Sequence, residues 1–404
     1  MTTPPDRRAA RRRAFGAAAT SLAAASVVGV VLGMVAGFWA GAAAVLVGVG
    51  LGLMALNRPG GVPILVYHSV SPDASWLPWA SNTSVRPETL RRHLRALRRG
   101  GWTVISTRAL VSKRRRGEAI EPRAAVLHFD DGYLDNLVFA APILREFEAP
   151  ATFFVSTDFI DPSQALRHRG DIAGASDHRG YMNAAELRFL DADPLFDVEA
   201  HGVDHARVPV SDQAGEPVDE RNWRRHVPLA WAQDAANKSR WFEADHPPPP
   251  LRLGEPAPRT DSALTGRWRR GGETESEAAF AQRVLGALTH AREELTSILG
   301  RAPWVFAWPF DRSCPTSEIL ARDAGFAVLT GGLGENRPDE DPTVLSRVHV
   351  TDRAFGGGPG WLEELALTAR VHAASGRYAW HGVVALASTL RRRRFGRPGY
   401  EAAS

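Results

Sequence analysis

Between Val62 and Leu329 short apolar runs alternate with amphipathic segments, and this alternation constrains the fold more than any other feature of the chain. Residues 62–67, 102–105, 124–129, 151–155, 196–198, 305–307 and 326–329 read as buried strands. Residues 87–97, 133–147, 184–190, 277–299 and 317–324 read as helices, the first with Leu90, Leu94 and Leu97 at i, i+4 and i+7. Strand and helix taking turns over this length predict a parallel sheet closed into a barrel.

The strands end on chemistry. The run that stops at Phe129 is followed by Asp130, Asp131 and Gly132, and the run after Phe196 by His201-Gly202-Val203-Asp204-His205. A strand would send adjacent carboxylates to opposite sides, but at a strand end, with Gly132 free to take φ > 0, both can face one cleft. One carboxylate plus two imidazoles is the ligand count of a catalytic divalent-metal site with a position left open. A lone His-x-x-x-His is a weak signal. Its pairing with a strand-terminal Asp-Asp-Gly in an alternating chain favours a metal site over a structural polar cluster.

Composition narrows the ligands and the partners. Cys314 is the single cysteine, which excludes an internal disulfide framework and a thiolate zinc cluster, so any metal sits on His and carboxylates. The net charge of +4 is carried by scattered arginines, with Lys113 and Lys238 the only lysines, and no recognition motif accompanies them; no nucleic-acid partner is expected.

Residues 1–13 form a basic segment, and 14–56 an uncharged apolar run. At ~1.5 Å per residue and a hydrocarbon core of ~30 Å the run is about twice one span, so two close-packed transmembrane helices broken near Gly33 to Gly37 are expected. A hairpin keeps the remainder cytoplasmic; a cleaved leader followed by one span, for which Arg12-Arg13-Ala14-Phe15 offers a twin-arginine-like start, puts it outside. The side stays open, leaning extracytoplasmic, with the chain at the cell membrane. Residues 57–61 form a linker and 62–352 the main domain, followed by C-terminal helices and a basic tail over 353–404. Within the main domain, about 208–274 shows neither helical nor strand period. It reads as a lid or side wall whose tryptophans either stack on sugar rings or anchor it to the barrel. The apolar stretch 378–390, ending in Arg391 to Arg394, is too short to span a bilayer; a terminal barrel helix is favoured over one lying on a membrane surface.

The order Val62-Pro63-Ile64-Leu65-Val66-Tyr67-His68, Phe129-Asp130-Asp131-Gly132, His201-Gly202-Val203-Asp204-His205 and Phe306-Ala307-Trp308-Pro309-Phe310 resembles the polysaccharide deacetylase family (NodB-homology domain, carbohydrate esterase family 4), and within it the poly-N-acetylglucosamine deacetylase branch. The likeness runs from about Val62 to about Val350, outside the insertion. It implies a distorted (β/α) barrel, a divalent metal (zinc first) on Asp131, His201 and His205, and Asp130 as general base. It also implies His68 as acid with His349 in reserve, and the Phe310 N–H as oxyanion donor. Tyr133, Trp308 and Arg347 are the expected substrate-binding residues. Three departures stand out. No arginine precedes Pro309-Phe310 to orient the base, Arg347 being the candidate substitute. Leu345 and His349 stand one residue too far apart for the family's Leu-x-x-His. His128 replaces the usual Thr and reads as a core histidine.

The expected function is metal-dependent hydrolysis of an N-acetyl, or another small N-acyl, group on an amino sugar in a polysaccharide or lipid-linked glycan. A catalytically silent glycan-binding membrane protein on the same fold is the alternative. A phosphoesterase is disfavoured by the lack of a phosphate-cradling Gly-rich loop.

Overall fold

The computed structural model describes residues 7–167, 178–233, 236–332 and 334–396; residues 1–6 of the basic segment and 397–404 of the tail lie outside these. Strands β1 (Ile64–Tyr67), β2 (Thr103–Val104), β3 (Ala124–Phe129), β4 (Ala151–Val155) and β5 (Phe196–Ala200) come first. Then follow β6 (Arg207–Pro217), β7 (Pro256–Ser262), β8 (Arg269–Arg270) and β9 (Glu273–Thr274), and finally β10 (Val305–Ala307), β11 (Val328–Gly332), β12 (Val344–Ser346) and β13 (Val348–His349). One parallel path runs β12-β11-β10-β5-β4-β3-β1-β13, with β2 added beside β3. Its two ends, β12 and β13, are separated in sequence by Arg347 alone, so the covalent chain draws the sheet edges together. The result is the nearly closed, distorted (β/α) barrel expected from the alternation.

Period-2 alternation sorts the strand side chains into two layers. Leu65, Tyr67, Leu127, Phe129, Phe153 and Phe306 pack outward against helix residues such as Leu90, Leu94, Leu137 and Leu288. Ile64, Val126, Phe154, Val305, Ala307, Val328 and Leu345 fill the interior together with Leu110 and Val111. Those two belong to the helix Thr107–Arg116, which sequence periodicity missed and which starts at a Ser106 cap accepting from the Ala109 N–H at 3.1 Å. His128 also points inward; it is fully buried, with Nε2 3.0 Å from Thr107 Oγ1, as a core histidine should be.

The 208–274 region is not irregular. β6 and β7 pair antiparallel, Trp223–Trp231 is a helix, and β8 and β9 form a small hairpin. The outer half of β6 is solvent-exposed and polar, and the helix carries Pro228 inside it, so neither shows an apolar period. Trp223, Trp231 and Trp268 are buried, which makes them anchors.

At the N-terminus α1 (Arg7–Ala36) and α2 (Phe38–Ala55) break at Gly37, φ 91°, and 12–36 and 38–55 are each long and apolar enough to cross a membrane. The helices approach so closely that a Cβ on Gly48 would lie 1.8 Å from that of Ala25. The exit of α2 is fastened to the C-terminal region, with the Tyr378 N–H donating to Leu56 O at 2.8 Å and the Arg58 N–H to Gly376 O at 2.9 Å.

Candidate active site

His68 follows β1, Asp130 and Asp131 follow β3, His201 follows β5, Phe310 and Asp311 follow β10, and Arg347 sits between β12 and β13. All therefore emerge at the carboxyl ends of the strands. They share a cleft of about 900 Å³ whose far wall is the insertion, through Arg207, Pro228, Trp231 and Thr260. Asp130 continues the inward face of β3, whereas Asp131 leaves it by taking φ 76°, followed by Gly132 at φ 73°. A Cβ on Gly132 would be 3.2 Å from the Val155 side chain, so the turn that brings both carboxylates to one side needs glycine there.

Ligand atoms of Asp131, His201 and His205 all lie within 4.8 Å of one another. Asp131 Oδ1 is 3.4 Å from His201 Nε2 and 3.0 Å from His205 Nε2. The His201 Nδ1–H donates to Ala307 O at 2.9 Å; a carbonyl can only accept, so Nε2 is the lone-pair nitrogen. Asp131 Oδ1 and His205 Nε2 are buried yet neither makes a hydrogen bond of sound geometry. Converging lone pairs with no proton between them ask for a cation, and the donor set fits a divalent ion with one side open. Among the described residues one other group, Asp158, His290 and Glu294, clusters similarly, but His290 is exposed and Asp158 is already bound by an ammonium.

Asp130 is almost fully buried. Arg347 Nη1 donates to its Oδ1 at 2.8 Å, and Arg347 Nε donates to Asp311 Oδ1 at 2.9 Å, in a guanidinium that is itself only 1% exposed. Burial alone would raise the Asp130 carboxyl, but Arg347, with His201 and His68 behind it, outweighs this and holds it below the ordinary carboxylate range. Asp311 is likewise held far down: burial is overcome by Arg347 and by His349, whose Nε2 contacts Asp311 Oδ2. Arg347 thus occupies the orienting place left empty before Pro309. As a substrate-binding residue it does not fit, because both edges of the fork are engaged by carboxylates.

The remaining expected residues divide. His68 lines the cleft, its ring stacked 5.5 Å from that of His349; burial pulls it down to about 4 against Asp131 and Asp130, so it is neutral at pH 7. Tyr133 also lines the cleft, its hydroxyl accepting from Trp79 Nε1 at 3.3 Å. Phe310 lies there at φ 61°, its ring edge-on to His205 at 4.9 Å. Trp308 is a correction. It is 2% exposed and packs edge-to-face on Phe306 at 4.9 Å, because period-2 alternation sends 306 and 308 together into the outer core. Sequence reading missed Asp311, although a carboxylate just past a strand end is the same signal that marked Asp130. It also missed Trp79, which lies on the loop after β1 and stacks on Trp241 at 5.3 Å.

The polysaccharide deacetylase family model matches residues 118–238, a window that holds Asp130, Asp131, His201 and His205 but stops short of Asp311 and Arg347. Poly-beta-1,6-N-acetyl-D-glucosamine N-deacetylase of Escherichia coli (strain K12) is 33% identical over 78 residues, 19% of this chain and 12% of that one. YxkH of Bacillus subtilis (strain 168), whose name places it among polysaccharide deacetylases, is 22% identical over 152 residues, 38% of this chain and 46% of that one. The chain thus spans less than half the length of these curated relatives. Among solved structures, the BpsB deacetylase domain from Bordetella bronchiseptica superposes with a TM-score of 0.51 at 20% identity, over 73% of this chain and 98% of that one, a likeness of fold.

Proposed function

We propose that this chain, which belongs to the polysaccharide deacetylase family, removes acetyl or another small acyl group from the nitrogen of an amino sugar in a polysaccharide or lipid-linked glycan. The observation that carries the reading is Asp130, held ionised by Arg347 beside the Asp131-His201-His205 group. A divalent cation on those three residues, zinc being the ion a carboxylate-plus-two-imidazole set suits best, would supply a Lewis acid for the acyl oxygen and the attacking water. Asp130 takes the water's proton as the oxygen adds to the acyl carbon. The Phe310 N–H donates to the developing oxyanion. As the carbon–nitrogen bond breaks, the proton that Asp130 took from the water passes by way of His68 to the leaving amine, and Asp130 is left ionised again; the low pKa of His68 suits it to give that proton up at once.

The silent-scaffold alternative rests on two departures, the missing orienting arginine and the displaced Leu345–His349 spacing; the Arg347–Asp130 contact answers the first and leaves the second in place. The two apolar N-terminal helices suit a membrane-anchored enzyme, with the export-like arginine pair favouring an extracytoplasmic domain. The test is acetate release from N-acetylglucosamine oligomers by the full-length chain in neutral detergent, with and without chelator, beside Asp130→Asn. Release is expected to fall at least about 100-fold in both arms; activity that survives either change overturns the mechanism.

A further inference from the structure

Lys238, one of only two lysines in the chain, lies in the insertion and is 5% exposed. Its ammonium contacts Asp158 Oδ2 and donates to Asp204 Oδ2 at 2.9 Å. Asp204 stands inside His201-Gly202-Val203-Asp204-His205, immediately before a candidate metal ligand, and Asp158 stands just past β4. Backbone bonds stitch the same three pieces together. The Lys238 N–H donates to Asp158 O at 2.7 Å, the Asp158 N–H to Val203 O at 2.8 Å and the Thr157 N–H to Gly202 O at 3.1 Å. Asn237 Nδ2 adds a bond to Ile160 O at 2.7 Å.

The two histidines are held very differently. His201 sits at the end of β5 and its ring is fixed by the Ala307 carbonyl. His205 is four residues farther on, beyond Gly202 at φ 87°, and among the described residues neither nitrogen of its ring makes a hydrogen bond. A metal-ligating imidazole ordinarily has such a partner to set its orientation. His205 has ring contacts to Phe310 and His201 but no such bond, so its aim depends on its backbone, which the charge-assisted grip on the residue next to it restrains. Asp204 is suited to the task because its two oxygens divide the work. Oδ1 accepts from the Ala206 N–H at 2.9 Å, closing the turn, while Oδ2 receives the ammonium. Burial alone would lower the lysine pKa, but Asp204 and Asp158 outweigh it and keep the ammonium charged.

We infer that Lys238 is a positioning residue of the metal site, by which the insertion fixes His205 through Asp204. The insertion is then a part of the centre it overhangs, and it cannot be removed as a lid could. The inference rests on the Asp131-His201-His205 reading but not on hydrolysis of any particular glycan.

The experiment titrates zinc into the metal-stripped full-length chain in neutral detergent and follows binding by calorimetry. Lys238→Met is expected to weaken zinc affinity about 10- to 100-fold, the range seen when an outer partner of a ligand is lost. Asp204→Asn keeps Oδ1 for the turn but offers the lysine no second acceptor, and should move affinity in the same direction by at least threefold. Lys238→Arg, which keeps the charge, should recover most of the loss. A lysine that served folding alone would lower the thermal midpoint of the metal-free chain and leave zinc affinity within twofold of native. That result in the folded variants overturns the inference, and Asp204→Asn decides the matter if Lys238→Met does not fold. The ratio is read without substrate, so it stands or falls independently of whether acetate is released.

Discussion

The two walls of the cleft are built on different physics. On the barrel side, strand ends present Asp130, Asp131, His201, Asp311 and Arg347 as a buried electrostatic network in which each member is fixed by another. On the insertion side, Trp231 and Trp241 pack with Trp79, Tyr181 and Phe159 in an aromatic cluster. A charge network fails when one partner goes, because the others stay buried and unpaired. An aromatic cluster loses area and keeps its shape more gradually. Reaction chemistry should therefore depend on the barrel wall and the shape of the glycan site on the insertion wall, with Lys238 as the strap between them.

The largest effect should come from the barrel wall. Arg347→Met leaves the buried Asp130 without its guanidinium and takes the same cation from the partly exposed Asp311, and should cost about 3–5 kcal/mol in denaturant unfolding. Turnover by the folded fraction should drop about 100-fold or more, because the base loses its orienter and its pKa rises. If stability falls and turnover per folded molecule does not, Arg347 is structural and the comparison fails on that side.

Asp135 lies behind the same wall, outside the cleft lining, and among the described residues no cation pairs with it. Its carboxyl accepts from Ser69 Oγ at 2.6 Å and from the Val70 N–H at 3.0 Å, and burial pushes it up to about 7. A carboxyl raised in the folded state stabilises the fold fully below its unfolded pKa near 4, and that contribution is lost as pH rises through about 7. Stability should thus decline between pH 4 and 8 through this group. Asp135→Asn should flatten the decline and add ~2–4 kcal/mol at pH 8 in urea titrations compared across pH. An unchanged slope in the variant would show that the decline has another source.

On the insertion wall, Trp241→Ala removes the ring stacked on Trp79 and the donor to the Tyr181 hydroxyl at 2.8 Å. Because Trp241 is only partly buried, a loss of about 2 kcal/mol is expected, together with a several-fold higher KM and little change in kcat. A fall in kcat at unchanged KM would mean that the aromatic cluster reaches the chemistry, and the division between the walls would dissolve.

The same division decides what sequence could reveal. The barrel followed from period-2 strands alternating with period-3.6 helices, and Asp130, Asp131, His201 and His205 from their places at strand ends. Both signals are local. Arg347 was visible only as an arginine that could fill a vacancy, since its partner Asp130 lies 217 residues away. Lys238 reaches Asp158 over 80 residues and Asp204 over 34, and nothing in its neighbourhood marks it. Trp308 misled because an aromatic beside a site motif looks like a cleft wall, and only strand parity shows it turned into the core. The insertion hid its structure because a polar edge strand and a proline-bearing helix carry no apolar period.

The smallest effect concerns the two imidazoles that stack at the cleft. His349 contacts Asp311 and its side chain is 41% exposed, whereas His68 is almost buried and closer in charge to Asp130 and Asp131. If His68 is the acid, His349→Gln should lower kcat less than tenfold, and His68→Gln about 100-fold. His349 keeps Asp311 engaged from the solvent side, so its loss should mainly loosen the second carboxylate on Arg347. The pair of single variants measured on one substrate separates the cases, because a larger loss at His349 than at His68 would exchange their roles. It would also move the proton donor from the β1 strand end to β13, beside the point where Arg347 closes the barrel.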